Sequence, residues 1–198
     1  MEFVTIDTGN VDQYLSEIAD IHYGAYSKEH FTSCFDKALL EKYYKFLIIN
    51  SDICLLAVDE GVVIGFIVSG YSVGRGVSQF IGENRPSVIK VFLKNPRFIL
   101  EKALSIISSR IMRGRDSPAI APFRLMSISV KSGTQSRGVG SLLLNEFEQT
   151  LLAKNINLYG LSVRKKNDRA VSFYFRNGFE VQKETRDSLY FGKELKDA

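Results

Sequence analysis

Val130-Lys-Ser-Gly-Thr-Gln135-Ser-Arg-Gly138-Val-Gly140-Ser141 lies between a strand-like run, Phe123 to Val130, and an amphipathic run through Leu142, Leu143, Leu144, Phe147 and Leu151. A strand, a glycine-bearing loop and a helix in that order aim several backbone N–H groups at one point. That point is a helix N-terminus, which carries about half a positive charge. A Cβ at Gly138 or Gly140 would crowd an anion approaching the backbone, and Arg137 adds charge from the side. The unit suits a phosphate or pyrophosphate. It is not a P-loop, because Gly140 is followed by Ser141-Leu142 rather than Lys-Ser/Thr. It is not a dinucleotide fingerprint either, because Gly138-Val-Gly140-Ser-Leu-Leu143 lacks the third glycine.

Outward from this loop the pattern alternates. Downstream, Gly138 to Lys154 reads as a helix and Asn157 to Val163 as a strand. Asn167 to Asn177 reads as a short helix ended by Gly178 in the left-handed region, with closing strands at Phe179–Glu184 and Leu189–Phe191. Upstream, Phe3–Asp7 reads as a strand, and Asn10 as the cap of a helix to Tyr26 carrying Val11, Tyr14, Leu15, Ile18, Ile21 and His22 at helical spacing. A second helix spans Asp36–Ile49. Ile53–Val58 and Val62–Tyr71 form a hairpin across Asp59-Glu60-Gly61, and Gly70 to Gly76 reads as a glycine-bearing loop. The segment after Pro86 is helical, with a break at Asn95-Pro96 and a second half from Arg97 to Met112. The class is α/β: a mixed sheet with one basic helical insertion.

The chain has 198 residues, 45% hydrophobic and 24% charged, which excludes disordered or low-complexity structure and favours one domain, 1–198. Its longest apolar runs fall far below the roughly 18 residues of a membrane span. Met1-Glu2-Phe3-Val4 shows no basic n-region, so the expected location is cytoplasmic. Two cysteines, Cys34 and Cys54, are too few for a disulfide framework, and no metal-ligand spacing occurs, so no metal is expected. The net charge of +4 is unevenly spread. Residues 85–115 hold eight basic residues and one acidic, a net +7, and the remaining 18 basic and 21 acidic residues give −3. Such a field draws anions or an anionic membrane surface. It carries no base-reading motif, so nucleic acid is not an expected partner.

The sequence resembles the GNAT superfamily of acetyl-CoA-dependent N-acetyltransferases. The family's loop pattern, Gln/Arg-x-x-Gly-x-Gly/Ala after a strand, is matched by Gln135-Ser-Arg-Gly138-Val-Gly140. A second pattern, Asn-x-x-Ala, then Tyr, then Gly-Phe, is matched in register by Asn167-Asp-Arg-Ala170, Tyr174 and Gly178-Phe179. The match is best over 123–192, while residues 73–120 depart from a minimal member as a helical insertion. The resemblance implies a central mixed, mostly antiparallel sheet, flanked by helices, with a splayed parallel strand pair, 123–130 and 157–163. It implies acetyl-CoA as co-substrate in the splay. Backbone groups of Ile128, Ser129 and Val130 would bond the pantetheine. Gln135, Ser136, Arg137, Gly138, Val139, Gly140 and Ser141 would hold the pyrophosphate, and Phe173 would line the coenzyme or pack in the core.

Tyr174 takes the family's general-acid position, where a phenol keeps its proton at neutral pH. The bland alternative is packing against Val171. Asn167 either contacts coenzyme A or only caps its helix. No carboxylate stands on 123–130, which leaves as base a water chain, or Glu83 or Asp59 arriving from loops. His22 and His30 fall on the acceptor side, where a lone helical histidine is commonly structural. The expected acceptor is a small-molecule primary amine, with an anionic one such as a nucleotide-linked amino sugar favoured by the basic segment. A protein amine and a non-catalytic acyl-CoA-binding module are the alternatives. A further reading of 86–113 is a membrane-surface contact through Phe92, Leu93, Phe98 and Leu100. The oligomeric state stays open between monomer and homodimer.

Overall fold

The computed structural model describes residues 1–26, 31–96, 121–134 and 138–196. Its strands are β1 Glu2–Thr5, β2 Ile53–Asp59, β3 Val62–Gly70, β4 Phe123–Val130, β5 Leu158–Arg164, β6 Glu180–Glu184 and β7 Ser188–Glu194. They form one seven-stranded sheet in the order β1-β2-β3-β4-β5-β7-β6, antiparallel throughout except at β4–β5. The helices among the described residues are α1 Leu15–Ala25, α2 Lys37–Ile49, α3 Val73–Glu83, α4 Arg85–Lys94, α5 Val139–Ala153 and α6 Asp168–Arg176.

The central strands are apolar on both faces because both faces are covered. Cys54, Leu56, Val58, Phe66 and Val68 point into one core with α1, α2 and Phe80 of α3. Ile53, Leu55, Ala57, Ile64 and Ile67 point into the other, against Leu143, Leu144, Phe147 and Leu151 of α5. The β2–β3 hairpin closes through Glu60 and Gly61, both at positive φ (50° and 76°), as a type I′ turn. At the end of α6, Phe179 N–H donates to Tyr174 C=O and Gly178 N–H to Phe175 C=O, with Gly178 at φ 80°. This Schellman ending brings the Tyr174 and Phe179 rings to 5.2 Å. It fixes the Tyr174 ring against the end of α6.

Three local expectations differ from the structure. Asn10 does not cap α1: its Oδ1 accepts from Asp7 N–H and its Nδ2 donates to Thr5 C=O, and a 3-10 turn, Val11–Gln13, precedes the helix. Residues 73–76 are the first turn of α3 rather than a loop. Gly76 is there because α3 crosses α2 closely, and a Cβ would lie 2.5 Å from Phe46 C=O. Phe92 does not face outward. It stacks on Phe31 at 4.6 Å, while Leu93 is 73% exposed, so the apolar face expected for a surface contact is divided. Phe98, Leu100 and the half-helix 97–112 lie outside the described residues.

Candidate active site

β4 and β5 pair only at Phe123–Tyr159 and Arg124–Gly160. Beyond that point residues 125–130 and 161–164 form opposite walls of a cleft of about 890 Å³. On its other edge β4 stays paired with β3, Ile128 opposite Ile67 and Ser129 opposite Phe66, so the splay opens one side only. The cleft is lined by Ile128, Ser129 and Val130, by Gly138, Gly140 and Ser141 at the start of α5, and by Asn167, Phe173 and Tyr174 of the α6 segment. The two motifs, some 30 residues apart in sequence, meet there. Gln135, Ser136 and Arg137 lie outside the described residues. Val139 turns its side chain into the core at 4% exposure, leaving only its backbone to the cleft end of α5.

Two features fit an anionic, extended ligand. Gly138 sits at φ 74° at the head of α5, a conformation that L side chains rarely adopt, and has no side chain with which to cap the helix. An added Cβ would meet no protein atom there, so the glycine answers a backbone requirement, not crowding by protein. The buried Ser129 Oγ has no partner among the described residues and lies on the cleft wall, where burial without a hydrogen bond is costly. Arg164, Lys166, Arg169 and Arg176 also line the cleft, and among the described residues no carboxylate does. The basic run Arg164-Lys-Lys166 beside the second motif was the signal for them, overshadowed in sequence by the larger +7 segment.

Asn167 does cap α6, its Oδ1 accepting from Ala170 N–H at 3.2 Å, and it lines the cleft as well. Tyr174 is 8% exposed and lines the cleft. Burial pushes its phenol above the ordinary value, and the nearby Tyr26 phenol pushes it further, so it is fully protonated at neutral pH. Neither carboxylate considered as a base reaches the cleft: Asp59 pairs with the N-terminal ammonium at 3.2 Å and Glu83 ends α3.

A second cavity, about 130 Å³, lies on the α1–α2 side of β4. It shares Tyr26, Met126 and Ser127 with the cleft and is otherwise lined by His22, Thr32, Tyr43, Tyr44 and Leu47. The junction falls where β4 carries one extra residue: Ser69 pairs with Leu125 and Val68 with Ser127, leaving Met126 as the bulge.

Residues 98–188 match the family model of the acetyltransferase (GNAT) domain. The match takes in part of the chain, and the fold is that of GNAT proteins. That fold is shared over nearly the full length of solved structures. PaiA N-acetyltransferase from Thermoplasma acidophilum in complex with coenzyme A is 17% identical, with 98% of each chain covered and a TM-score of 0.55. An aminoglycoside 6′-N-acetyltransferase complexed with coenzyme A is 11% identical, covering 100% of this chain and 99% of that one, TM-score 0.62. The ribosomal-protein-S18-alanine N-acetyltransferase from Escherichia coli is 13% identical, covering 100% and 95%, TM-score 0.53. No curated protein matches the chain. No group of metal-ligating side chains occurs among the described residues, and no described helix is long and apolar enough to cross a membrane.

Proposed function

We propose that the protein transfers the acetyl group of acetyl-CoA to a primary amine by direct attack within a ternary complex, as one domain over residues 1–198. The observation that carries this reading is the convergence of Gly138, Ser129 and Tyr174 on one cleft rich in cations and free of carboxylates among its lining residues. Bound there, the donor supplies a thioester; the chain supplies everything else. The N-terminus of α5, with Gly138 to Ser141 and with Gln135 to Arg137 before it, holds the pyrophosphate. Lys166 and Arg169 add positive charge. Backbone groups of Ile128, Ser129 and Val130 take the pantetheine as an added strand and hold the carbonyl for attack. Phe173 packs along it. Tyr174 keeps its proton until the thiolate departs and then gives it up.

The acceptor read from the sequence is a small anionic amine, such as a nucleotide-linked amino sugar. Support comes from the +7 of residues 85–115, of which Arg85, Lys90 and Lys94 lie on α4, and from the lack of carboxylates among the described residues that line the second cavity. A polycationic amine would want acidic partners there. The test begins with calorimetry of acetyl-CoA on the native protein and on Gly138→Glu, then an amine panel: a nucleotide-linked amino sugar, an aminoglycoside and a peptide with N-terminal alanine. Micromolar binding abolished by Gly138→Glu, with turnover of one panel member, supports the reading. Binding without turnover favours an acyl-CoA-binding module, and binding indifferent to the substitution removes the loop from the site.

A further inference from the structure

Among the described residues no carboxylate lines the cleft, yet an aliphatic amine reaches it at neutral pH as an ammonium and must lose a proton before it can attack. A continuous line of hydroxyls leaves the cleft wall. Tyr26 OH and Ser127 Oγ are 2.8 Å apart, Ser127 Oγ and Tyr44 OH 3.4 Å, and Tyr44 OH and His22 Nδ1 2.8 Å. His22 Nε2 is 2.9 Å from Thr32 Oγ1. His22, Thr32, Tyr44 and Ser127 are all buried, His22 at 1% exposure. α1 contributes His22, its C-cap contributes Tyr26, α2 contributes Tyr44, β4 contributes Ser127, and the 3-10 turn Phe31–Cys34 contributes Thr32. Hydroxyls drawn from this many segments are more than a core needs for packing, and a buried polar network is costly unless complete.

We propose that Tyr26, Ser127 and Tyr44 relay the proton of the acceptor amine to His22, the terminal base, an assignment that rests on the acetyl-transfer reading above. With the proton on Nε2 donated to Thr32 Oγ1, Nδ1 accepts from Tyr44 OH, and every hydroxyl in the line points its proton toward His22. The N–H bond of the ammonium breaks and its proton joins the Tyr26 oxygen. The Tyr26 proton passes to Ser127 Oγ, the Ser127 proton to the Tyr44 oxygen, and the Tyr44 proton to Nδ1. Each hydroxyl ends with one proton, as it began, and His22 holds one more. After attack the amine's second proton leaves with the thiol through Tyr174, and release of the His22 proton to solvent resets the line. Only Tyr26 touches substrate; Ser127, Tyr44 and His22 act through it.

The protonated ring has what it needs. Both N–H groups keep oxygen partners, and the face of Tyr26 stacks on the imidazole at 4.0 Å and 14°. Among the described residues, the titratable groups around it are the phenols of Tyr23 from α1, of Tyr26 just past its end, and of Tyr43 and Tyr44 from α2, while β4 presents Met126 and Ser127. Burial raises all four phenols, so they stay neutral at neutral pH, and no carboxylate lines the cavity among the described residues.

The test compares His22→Gln, which keeps an amide donor for Thr32 but cannot take a proton, with Tyr44→Phe, which cuts the line and leaves the histidine. Coenzyme A calorimetry and thermal melting establish that each is folded, and either alone suffices if the other is not. With the panel amine that the native protein acetylates, both variants lose about 10²-fold or more in kcat at neutral pH and little in KM. Their rates then climb with pH toward the native rate near the amine's own pKa, where free amine is plentiful. A merely structural role would lower the rate equally at every pH. In parallel, His30→Gln leaves a single histidine, whose ¹⁵N spectrum shows Nε2 protonated and Nδ1 accepting. Native kcat and native pH profile in both folded variants overturn the relay, as does an Nδ1–H tautomer. No turnover of any panel amine by the native protein sinks the acetyl-transfer reading, and the relay with it.

Discussion

The two walls that meet at Ser127 are made by opposite means. The cleft wall, β4 with the heads of α5 and α6, works through backbone: a strand edge left open by the splay, a glycine at φ 74° and a helix N-terminus. The α1–α2 wall works through side chains, four tyrosines and one histidine brought together from two helices and the cap of the first. Backbone devices need particular residues at fixed local spacing, so they leave a motif. A side-chain cluster needs only that its members meet in space, so it leaves none.

The sharpest break on the cleft wall is Tyr174→Phe, which keeps the ring against Phe179 and removes only the proton: kcat falls about 10²-fold and coenzyme A affinity stays near native. Because the phenol's pKa is raised in the folded protein, its acid form persists as pH rises past the ordinary tyrosine value of about 10. An alkaline limb below that pH therefore belongs to another group and survives in the variant. On the helical side, Gly76→Val drives a side chain onto Phe46 C=O. It destabilises by about 1–3 kcal/mol in thermal or denaturant unfolding. Coenzyme A affinity of the folded fraction stays unchanged, which separates the two walls.

Smaller effects sharpen the contrast. Arg169→Glu, on an exposed cation of the cleft, weakens coenzyme A about fivefold at low salt and less at high salt, as expected of about 1 kcal/mol between exposed charges. Asp36→Ala removes the cap that accepts Leu39 N–H at 2.8 Å and costs about 1 kcal/mol, with no effect on the ligand. Cys54, pushed up to about 12 by burial, contributes a stability fully present below pH 9 and lost as pH rises from 9 through 12, because the unfolded thiol ionises first. Cys54→Val flattens stability against pH in that window, measured by urea unfolding.

Legibility followed the same division. Gly138, Asn167, Phe173 and Tyr174, which the sequence patterns single out, line one cleft, because the strand–loop–helix and Asn-to-Tyr intervals are set by local chain geometry. The hairpin and the end of α6 were readable for the same reason. Gly70–Gly76 was misread as a loop because its glycine serves a helix crossing, a contact with α2 that nothing local encodes. Arg164, Lys166, Arg169 and Arg176 stood in plain view, yet their convergence depends on where β5 leaves β4.

By itself the sequence determined the α/β class, the order of elements and the phosphate-suited loop, since hydrophobic period, caps and glycine positions act over a few residues. Only the tertiary structure decided that β4 and β5 part after Arg124, that no carboxylate among the described residues lines the cleft, and that His22 ends a line of hydroxyls opening at Tyr26. Tyr26 and Ser127 are 101 positions apart. Their contact is fixed by how α1 packs on the sheet, and burial in that packing is what keeps the phenols neutral beside the histidine.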